Sequence, residues 1–397
     1  MAMDVAMGLA IIFFCILMLS SAAIVFLLIR YFLRRRTSSS AAHADPELAA
    51  AVAVAPPEPE EEPVLSLFPS EKEEETLLME PRRLTWREVE ALTGGFDEAA
   101  VVGRGGSSIV YLARLRRGAP VAVKVHRWCG GERRLRAFRQ ELDLLRRIHH
   151  QHIVALLAYS DDHEEGGALV LEYLAGGTLA DRLHGGAITA PPLPWAQRMR
   201  ILHDVACALE HLHDASTGVV HGDVSASNVL LDGNGGGARL CDLGSSCEGF
   251  SAAVAPSRSA VGSPGYADPF FLRTGIVSKK SDVYSFGVLL LEAITGMPAA
   301  GSSAGLDGTE NLTARVLPRV RKQGVDGLVD SRLGEDYDVE EAGDVARIAV
   351  ECVAAQPGLR PSMDQVRVAI AEKAARSIAK ADYYGHHIQL SKLLEIT

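Results

Sequence analysis

The sequence predicts an α+β domain of two lobes, set behind an apolar N-terminal segment and a polar linker. Three observations point there. Short alternating apolar runs crowd the chain before Gly177, helical apolar spacing dominates after it, and residues 5–29 carry no charge. The 397 residues suit one large domain or two small ones, with ample surface to bury in a core. Hydrophobic content of 48% and charged content of 23% are ordinary for a globular protein.

The elements follow in order. "VAMGLAIIFFCILMLSSAAIVFLLI" is long enough to cross a bilayer as a helix. Arg30, Arg34, Arg35 and Arg36 follow at once, whereas Asp4 alone is charged before it. The positive-inside rule places the bulk of the chain in the cytosol. A cleaved signal peptide would show a positive leading region and a small-residue cleavage site, and neither is present. The expectation is a short extracytosolic N-terminus over 1–6, a transmembrane helix over 7–29 and a single-pass plasma-membrane protein with a cytosolic domain. Residues 30–83 begin basic and turn rich in Ser, Ala, Pro and Glu, a composition that predicts a disordered tether.

The net charge of −10 is unevenly placed, because residues 56–80 hold nine glutamates and one lysine. No basic patch is large enough to imply a nucleic-acid partner. The six cysteines (15, 129, 207, 241, 247 and 352) form no CxxC pair, which excludes a zinc ribbon and a disulfide framework.

Residues 84–92, "LTWREVEAL", have helical spacing. "AAVVGRGGSSIVYLARL" and "APVAVKVHRW" read as strands with turn residues between them, "RAFRQELDLLRRI" as a helix, and "HIVALLAYS" and "ALVLEYL" as strands. "WAQRMRILHDVACALEHLH", "SDVYSFGVLLLEAIT" and "DVARIAVECVAA" are helical.

Several residues carry chemistry. Gly103, Gly105 and Gly106 form a glycine-rich turn between strands; such a turn either just closes a hairpin or lets backbone N–H groups approach phosphates. A helix does not follow it, so a dinucleotide-binding turn is excluded. Lys124 alternates with Val123 and Val125 in a strand, on one face with Ala122; a small residue beside a cation suits an adenine and its phosphates better than open water. Glu141, on the next helix, is a natural counter-ion. In "VVHGDVSASNVLLD" (219–232), Asp223 and Asn228 lie five apart, and Asp242-Leu243-Gly244 follows one hairpin later. Each Asp alone could cap a turn. Together they make a hard-oxygen cluster of the kind magnesium takes alongside phosphate.

This order of motifs resembles the eukaryotic protein kinase family, and within it the plant receptor-like kinases. "RLTWREVEALTGGFDEAAVVGRGG", "LVLEYLAGGTL", "SDVYSFGVLLLEAITG" and "RPSMDQV" carry the likeness. The resemblance implies a two-lobed kinase fold over 84–373, with a C-terminal tail over 374–397. It implies ATP and Mg2+, with Mn2+ as an alternative metal, and Ser/Thr protein substrates. It gives Gly103, Gly105 and Gly106 the phosphates, with Ser108 in place of the third family glycine. Lys124, paired with Glu141, would hold the α- and β-phosphates. Val102, Val110 and Ala122 would roof the adenine and Leu230 would floor it. Leu171 would guard the back pocket, and Glu172, Tyr173 and Leu174 would form the hinge. Asp223 would take the substrate hydroxyl's proton, Asn228 and Asp242 would hold the metal, and Asp282 would brace the loop. "GSPGYADP" (262–269) would dock the peptide, and Ser257, Ser259 and Ser263 are candidate phosphate acceptors.

Three residues depart from the family pattern. Gly222 replaces the arginine after the catalytic-loop histidine. Phe270 replaces the glutamate that pairs with the arginine matching Arg360. Ser225 replaces the lysine that neutralises the transferring phosphate, and Ser227 does not supply the arginine of tyrosine-specific loops. The expectation is a membrane-anchored Ser/Thr kinase of reduced rate, signalled by a receptor or co-receptor partner. A pseudokinase scaffold, and a small-molecule phosphotransferase of related fold, are the alternatives.

Overall fold

The computed structural model describes residues 81–395 apart from 107, 116–117, 129–130, 165, 186–190, 234–236, 249–252, 255–261 and 302–310. The expected membrane span over 7–29, the linker up to residue 80, and Ser257 and Ser259 lie outside the described residues. Among the described residues no helix is long and apolar enough to cross a membrane. The single-pass placement expected from the sequence is corrected accordingly.

The front lobe is a six-stranded sheet. Its strands are β1 (Arg82–Arg83), β2 (Val101–Arg104), β3 (Ser108–Arg114), β4 (Pro120–Arg127), β5 (Leu156–Ser160) and β6 (Gly166–Glu172), in the order β1-β5-β6-β4-β3-β2. All neighbours run antiparallel except β1, which lies parallel to β5. The sequence assigned Arg82 and Arg83 to the disordered linker; they instead take ladder bonds at the sheet edge, a partnership that two arginines do not advertise. Helix α1 (Trp86–Leu92) starts at a Thr85–Glu88 capping box, which satisfies backbone donors at its first turn. Its Val89 packs with Tyr111, Val121, Val123 and Val125 on one face of the sheet.

The alternation in β4 sends Val121, Val123 and Val125 to that face and turns Ala122, Lys124 and His126 to the other. Helix α2 (Glu132–Arg147) covers this second face with Phe138, Glu141, Leu142, Leu144 and Leu145 buried. Arg146 and Arg147 sit in its last turn, where cations suit the helix dipole.

The back lobe is built on helices α3 (Leu179–His184), α4 (Trp195–His213), α5 (Pro269–Thr274), α6 (Lys279–Thr295), α7 (Leu312–Gln323), α8 (Val339–Cys352), α9 (Met363–Lys373) and α10 (Ala375–Glu395). Helix α6 is buried almost throughout, from Asp282 to Thr295. It is the axis on which the loops of the site rest. Those loops are short because β7 (Val219–Val220), β8 (Val229–Leu231) and β9 (Ala238–Leu240) leave little slack between them. The tail is a helix rather than a free peptide: Ser377 N–H donates to Glu341 Oε1 at 3.3 Å, Lys380 pairs with Asp336 at 3.2 Å, and Asp382 pairs with Arg200.

Candidate active site

The strand–helix pair expected at the front forms. Lys124 Nζ donates to Glu141 Oε1 at 2.7 Å and Oε2 at 2.9 Å. It also donates to Asp242 Oδ1 at 2.9 Å, which joins the front lobe to the back. Lys124 is 8% exposed and Glu141 1%, so the pair stands in a medium that disfavours charge. Burial pulls the Lys124 pKa down, but Glu141 and Asp242 outweigh it and leave the ammonium raised. Burial raises Glu141, opposed by Lys124. Burial would raise Asp242 too, but the Lys124 ammonium overrides it and holds that carboxyl below its ordinary value. Asp242 has a left-handed φ of 67°, uncommon for a side chain other than glycine, and its Oδ1 accepts from Gly244 N–H at 3.4 Å. Backbone strain of this kind gathers at functional sites.

The catalytic-loop candidates also converge. Asn228 Nδ2 donates to the Asp223 carbonyl at 2.8 Å and to its Oδ2 at 3.1 Å. Asp223 N–H donates to His221 Nδ1 at 3.2 Å, so His221 Nε2 is the nitrogen left to donate to the Cys241 carbonyl, 3.1 Å away. That bond ties the loop holding Asp223 to the segment holding Asp242. Beneath it Asp282, 1% exposed, accepts from His221 N–H at 2.7 Å and Gly222 N–H at 2.9 Å, with His213 Nε2 2.8 Å from it. Asp282 braces the loop as the resemblance implied.

Each departure has a local answer. At Gly222 φ is +82°, and a Cβ there would stand 2.5 Å from the Ser245 carbonyl oxygen. As this loop is folded, an arginine does not fit; the missing side chain matches a different backbone path. For Phe270 the correction is larger. The sequence reading expected Arg360 to lose its carboxylate partner. Instead both oxygens of Asp268, 2% exposed, accept from its guanidinium at 2.8 Å. Arg360 further donates to the carbonyls of Ala354 at 2.8 Å and Lys280 at 2.7 Å, and lies over the Tyr284 ring. The sequence signal was present in "GYADP": an acid stands two residues before the expected one. Ser225, fully buried, accepts a hydrogen bond from Ser263 Oγ at 3.0 Å, while Ser263 N–H donates to Asp223 Oδ1 at 2.6 Å. Ser263, one of three loop serines that the sequence offers either as phosphate acceptors or as ordinary loop residues, is a partner of the catalytic loop. Tyr266, whose hydroxyl donates to Glu292 and accepts from Ala226 N–H at 3.1 Å, carries the same segment and was not singled out by the sequence reading.

Around these polar groups lie the expected apolar residues. Gly103 pairs with Val110, and Val110 with Lys124, so the glycine turn hangs beside the lysine. Gly105 N–H donates to the Ser108 carbonyl at 2.8 Å, closing the turn, and a Cβ on Gly106 would meet nothing within 4 Å. Val102 is 49% exposed; Val110, Ala122 and Leu230 are half-buried, and Leu171 and Leu174 are buried. Glu172 Oε1 accepts from Ala155 N–H at 2.8 Å and pairs with Arg239 at 2.9 Å, so its side chain serves the hinge's own fold.

The donors suit a hard divalent cation. Asn228 commits its NH2 to Asp223 and presents its amide oxygen, and the Asp242 side chain is 44% exposed. Among the described residues no group of three or more His, Cys, Asp or Glu could hold a metal by itself. One carboxylate and one amide oxygen, completed by phosphate and water, is the way magnesium is usually bound.

Comparison with known proteins agrees with this geometry. The family described as "Protein kinase domain" matches residues 96–369. The chain is 49% identical to the rice protein named Salt tolerance receptor-like cytoplasmic kinase 1, over 74% of this chain and 81% of that one. It is 40% identical to a probable receptor-like protein kinase of Arabidopsis thaliana, over 71% of this chain and 85% of that one. A receptor-like serine/threonine-protein kinase of the same plant is 35% identical over 72% of this chain and 52% of its own length. The rice relative is named a cytoplasmic kinase, which bears against the plasma-membrane placement corrected above. A matched domain of this extent and relatives of this identity place the chain in the protein kinase family, as a protein serine/threonine kinase.

Proposed function

We propose that this kinase transfers the γ-phosphoryl group of Mg-ATP to serine and threonine hydroxyls of signalling proteins, with Lys124, Glu141, Asp223, Asn228 and Asp242 as its working groups. One observation carries the reading. An ammonium from the front lobe and the Asp242 carboxylate from the back lobe already touch, at 2.9 Å, beside a loop that holds Asp223 and Asn228 together.

Lys124 turns from Asp242 to the α- and β-phosphates while Glu141 keeps it placed. Gly103 and Gly105 shape the closed turn that covers the phosphates, to which Gly106 can offer its backbone N–H; Val102, Val110, Ala122 and Leu230 enclose the adenine, whose edge meets the backbone of Glu172 and Leu174. Asn228 and Asp242 hold magnesium, which when bound neutralises charge on the phosphates. Asp223 orients the incoming hydroxyl. The hydroxyl oxygen forms the new P–O bond, the bond to the ADP oxygen breaks, and the hydroxyl proton passes to Asp223. Phosphoryl transfer asks mainly for positioning and charge neutralisation, and these residues provide both.

The rate is reduced by Ser225. Losing one group that stabilises developing charge costs about 100- to 1000-fold. That leaves much of a kinase's acceleration in place. The scaffold alternative is not favoured, because Lys124, Glu141, Asp223, Asn228 and Asp242, the groups proposed to hold nucleotide, metal and hydroxyl, are all present. The names of the relatives support a receptor or co-receptor upstream, which we propose as the source of the signal.

The test uses the full chain with labelled ATP. Label on serine and threonine, dependent on Mg2+ and removed by EDTA, is expected. Mn2+ should substitute in part. Incorporation no higher than in Asp242→Asn would overturn the reading.

A further inference from the structure

His126 stands two residues beyond Lys124 on β4, on the same face and against α2. It is 4% exposed, and its ring packs on Phe138, one helical turn before Glu141, with centroids 5.3 Å apart. Its Nε2 is buried without a hydrogen-bond partner. Such groups are rare in folded proteins and call for an explanation. A carboxylate oxygen, Glu141 Oε2, lies 3.6 Å away, a few tenths of an ångström beyond bonding distance. Burial, reinforced by the neighbouring Lys124, pushes the imidazole pKa down to about 3, so the ring is neutral and can offer one N–H without adding charge.

The carboxylate it faces has a changing need. Glu141 is 1% exposed and is compensated here by both bonds from Lys124 and by the Leu243 backbone. Lys124 is shared with Asp242. Phosphates compete for that same ammonium, so the buried carboxylate, though still paired with Lys124, is left with a smaller share of its positive charge. The donor already in place is His126.

We propose that His126 is a positioning residue whose neutral Nε2–H closes onto Glu141 Oε2 when Lys124 engages nucleotide, holding α2 against the sheet in the loaded state. The inference rests on the reading of Lys124 as the phosphate-binding lysine. It predicts a division between stability and nucleotide affinity that a packing role would not give. His126→Leu removes an unpaired buried group, so the Tm of the nucleotide-free chain stays level or rises. Its KM for ATP rises about tenfold, as expected for one lost hydrogen bond to a charge, while kcat changes less than about threefold. His126→Gln, whose amide can reach the same oxygen, brings KM back to within about threefold of wild type.

A measurement on the unaltered full chain stands beside these. With 15N-labelled histidine, the proton on His126 Nε2 should move downfield when Mg-ATP is added. An unmoved resonance with nucleotide bound overturns the proposal alone. So does a His126→Leu chain with wild-type KM, or equal impairment of the Leu and Gln variants. A wild-type chain whose Tm is unmoved by Mg-ATP overturns the Lys124 reading and this proposal together.

Discussion

The nucleotide side and the peptide side of the cleft have diverged from the family in opposite ways. Around Lys124 every charged group is kept, and the groups touch at 2.7–2.9 Å. Around the loop that receives the hydroxyl, three family side chains are replaced, by Gly222, Ser225 and Phe270. The difference follows from the physics of each side. On the nucleotide side the groups act through charge, and no neutral residue can neutralise a phosphate or a metal-bound oxygen. On the peptide side the charge lost at 225 has no substitute and slows the transfer, whereas holding backbone in place is work that several local arrangements can do. Asp268 stands in for the residue lost at 270, and the Ser225–Ser263 bond ties the loop to the docking segment.

The largest break in this comparison is expected at the proposed base. Asp223→Asn keeps the shape and one of the two oxygens that accept from Ser263 and Asn228, but cannot take a proton. Phosphate incorporation should fall by about 100- to 10,000-fold. The chain's Tm should stay near wild type, measured beside the rate. A drop smaller than tenfold would place the chemistry elsewhere.

The second break concerns the relocated ion pair. Asp268→Asn leaves the Arg360 guanidinium, 3% exposed, without a charge partner. Removing one member of a buried pair costs about 3–5 kcal/mol. The midpoint of urea unfolding should fall to match. Phe270→Glu, which restores the family residue, should bring no gain, because both Asp268 oxygens already hold the arginine. A gain there would show that the substitute is a poor one.

The front of the site was legible in the sequence because its signals are local and periodic. Alternation in β4 put Lys124 and Ala122 on one face, the 3.6-residue repeat of α2 faced Glu141 inward, and turn residues bounded each strand. The order of Asp223, Asn228 and Asp242 fixed the rest. What escaped depends on contacts between distant residues. The 268–360 pair spans 92 positions, and Asp268 is fixed there as the cap of α5, its Oδ1 also accepting from Phe270 N–H at 2.9 Å. His126 looked like one more residue of a strand until Phe138 and Glu141 were placed over it. Arg82 and Arg83 carry no strand signal; they are held by the β5 edge and by ion pairs to Glu88 at 2.9 Å and Asp161 at 2.6 Å.

A smaller effect is expected at Ser225. Its hydroxyl receives one neutral hydrogen bond, worth about 1 kcal/mol. Ser225→Ala should therefore slow transfer by about fivefold and leave the KM for ATP unchanged. A loss as large as that of Asp223→Asn would mean the hydroxyl takes part in the chemistry.

The two sides should also differ in how they answer pH, and here the effect is the smallest. Asp242 is held below its ordinary value of 3.8 once the Lys124 ammonium has overcome the effect of burial. A carboxylate depressed in the folded state binds its proton more readily when unfolded. Its contribution to stability is therefore complete above about pH 5 and is lost as pH falls through the folded value. Asp242→Asn should lower Tm evenly above about pH 5 and close on wild type as the acid limb is descended. Ser225→Ala, with no titrating group, should run parallel to wild type across the same range. Parallel curves for both variants would mean that the Lys124–Asp242 contact contributes nothing to the stability of the nucleotide-free chain, and that its role begins only when phosphates arrive.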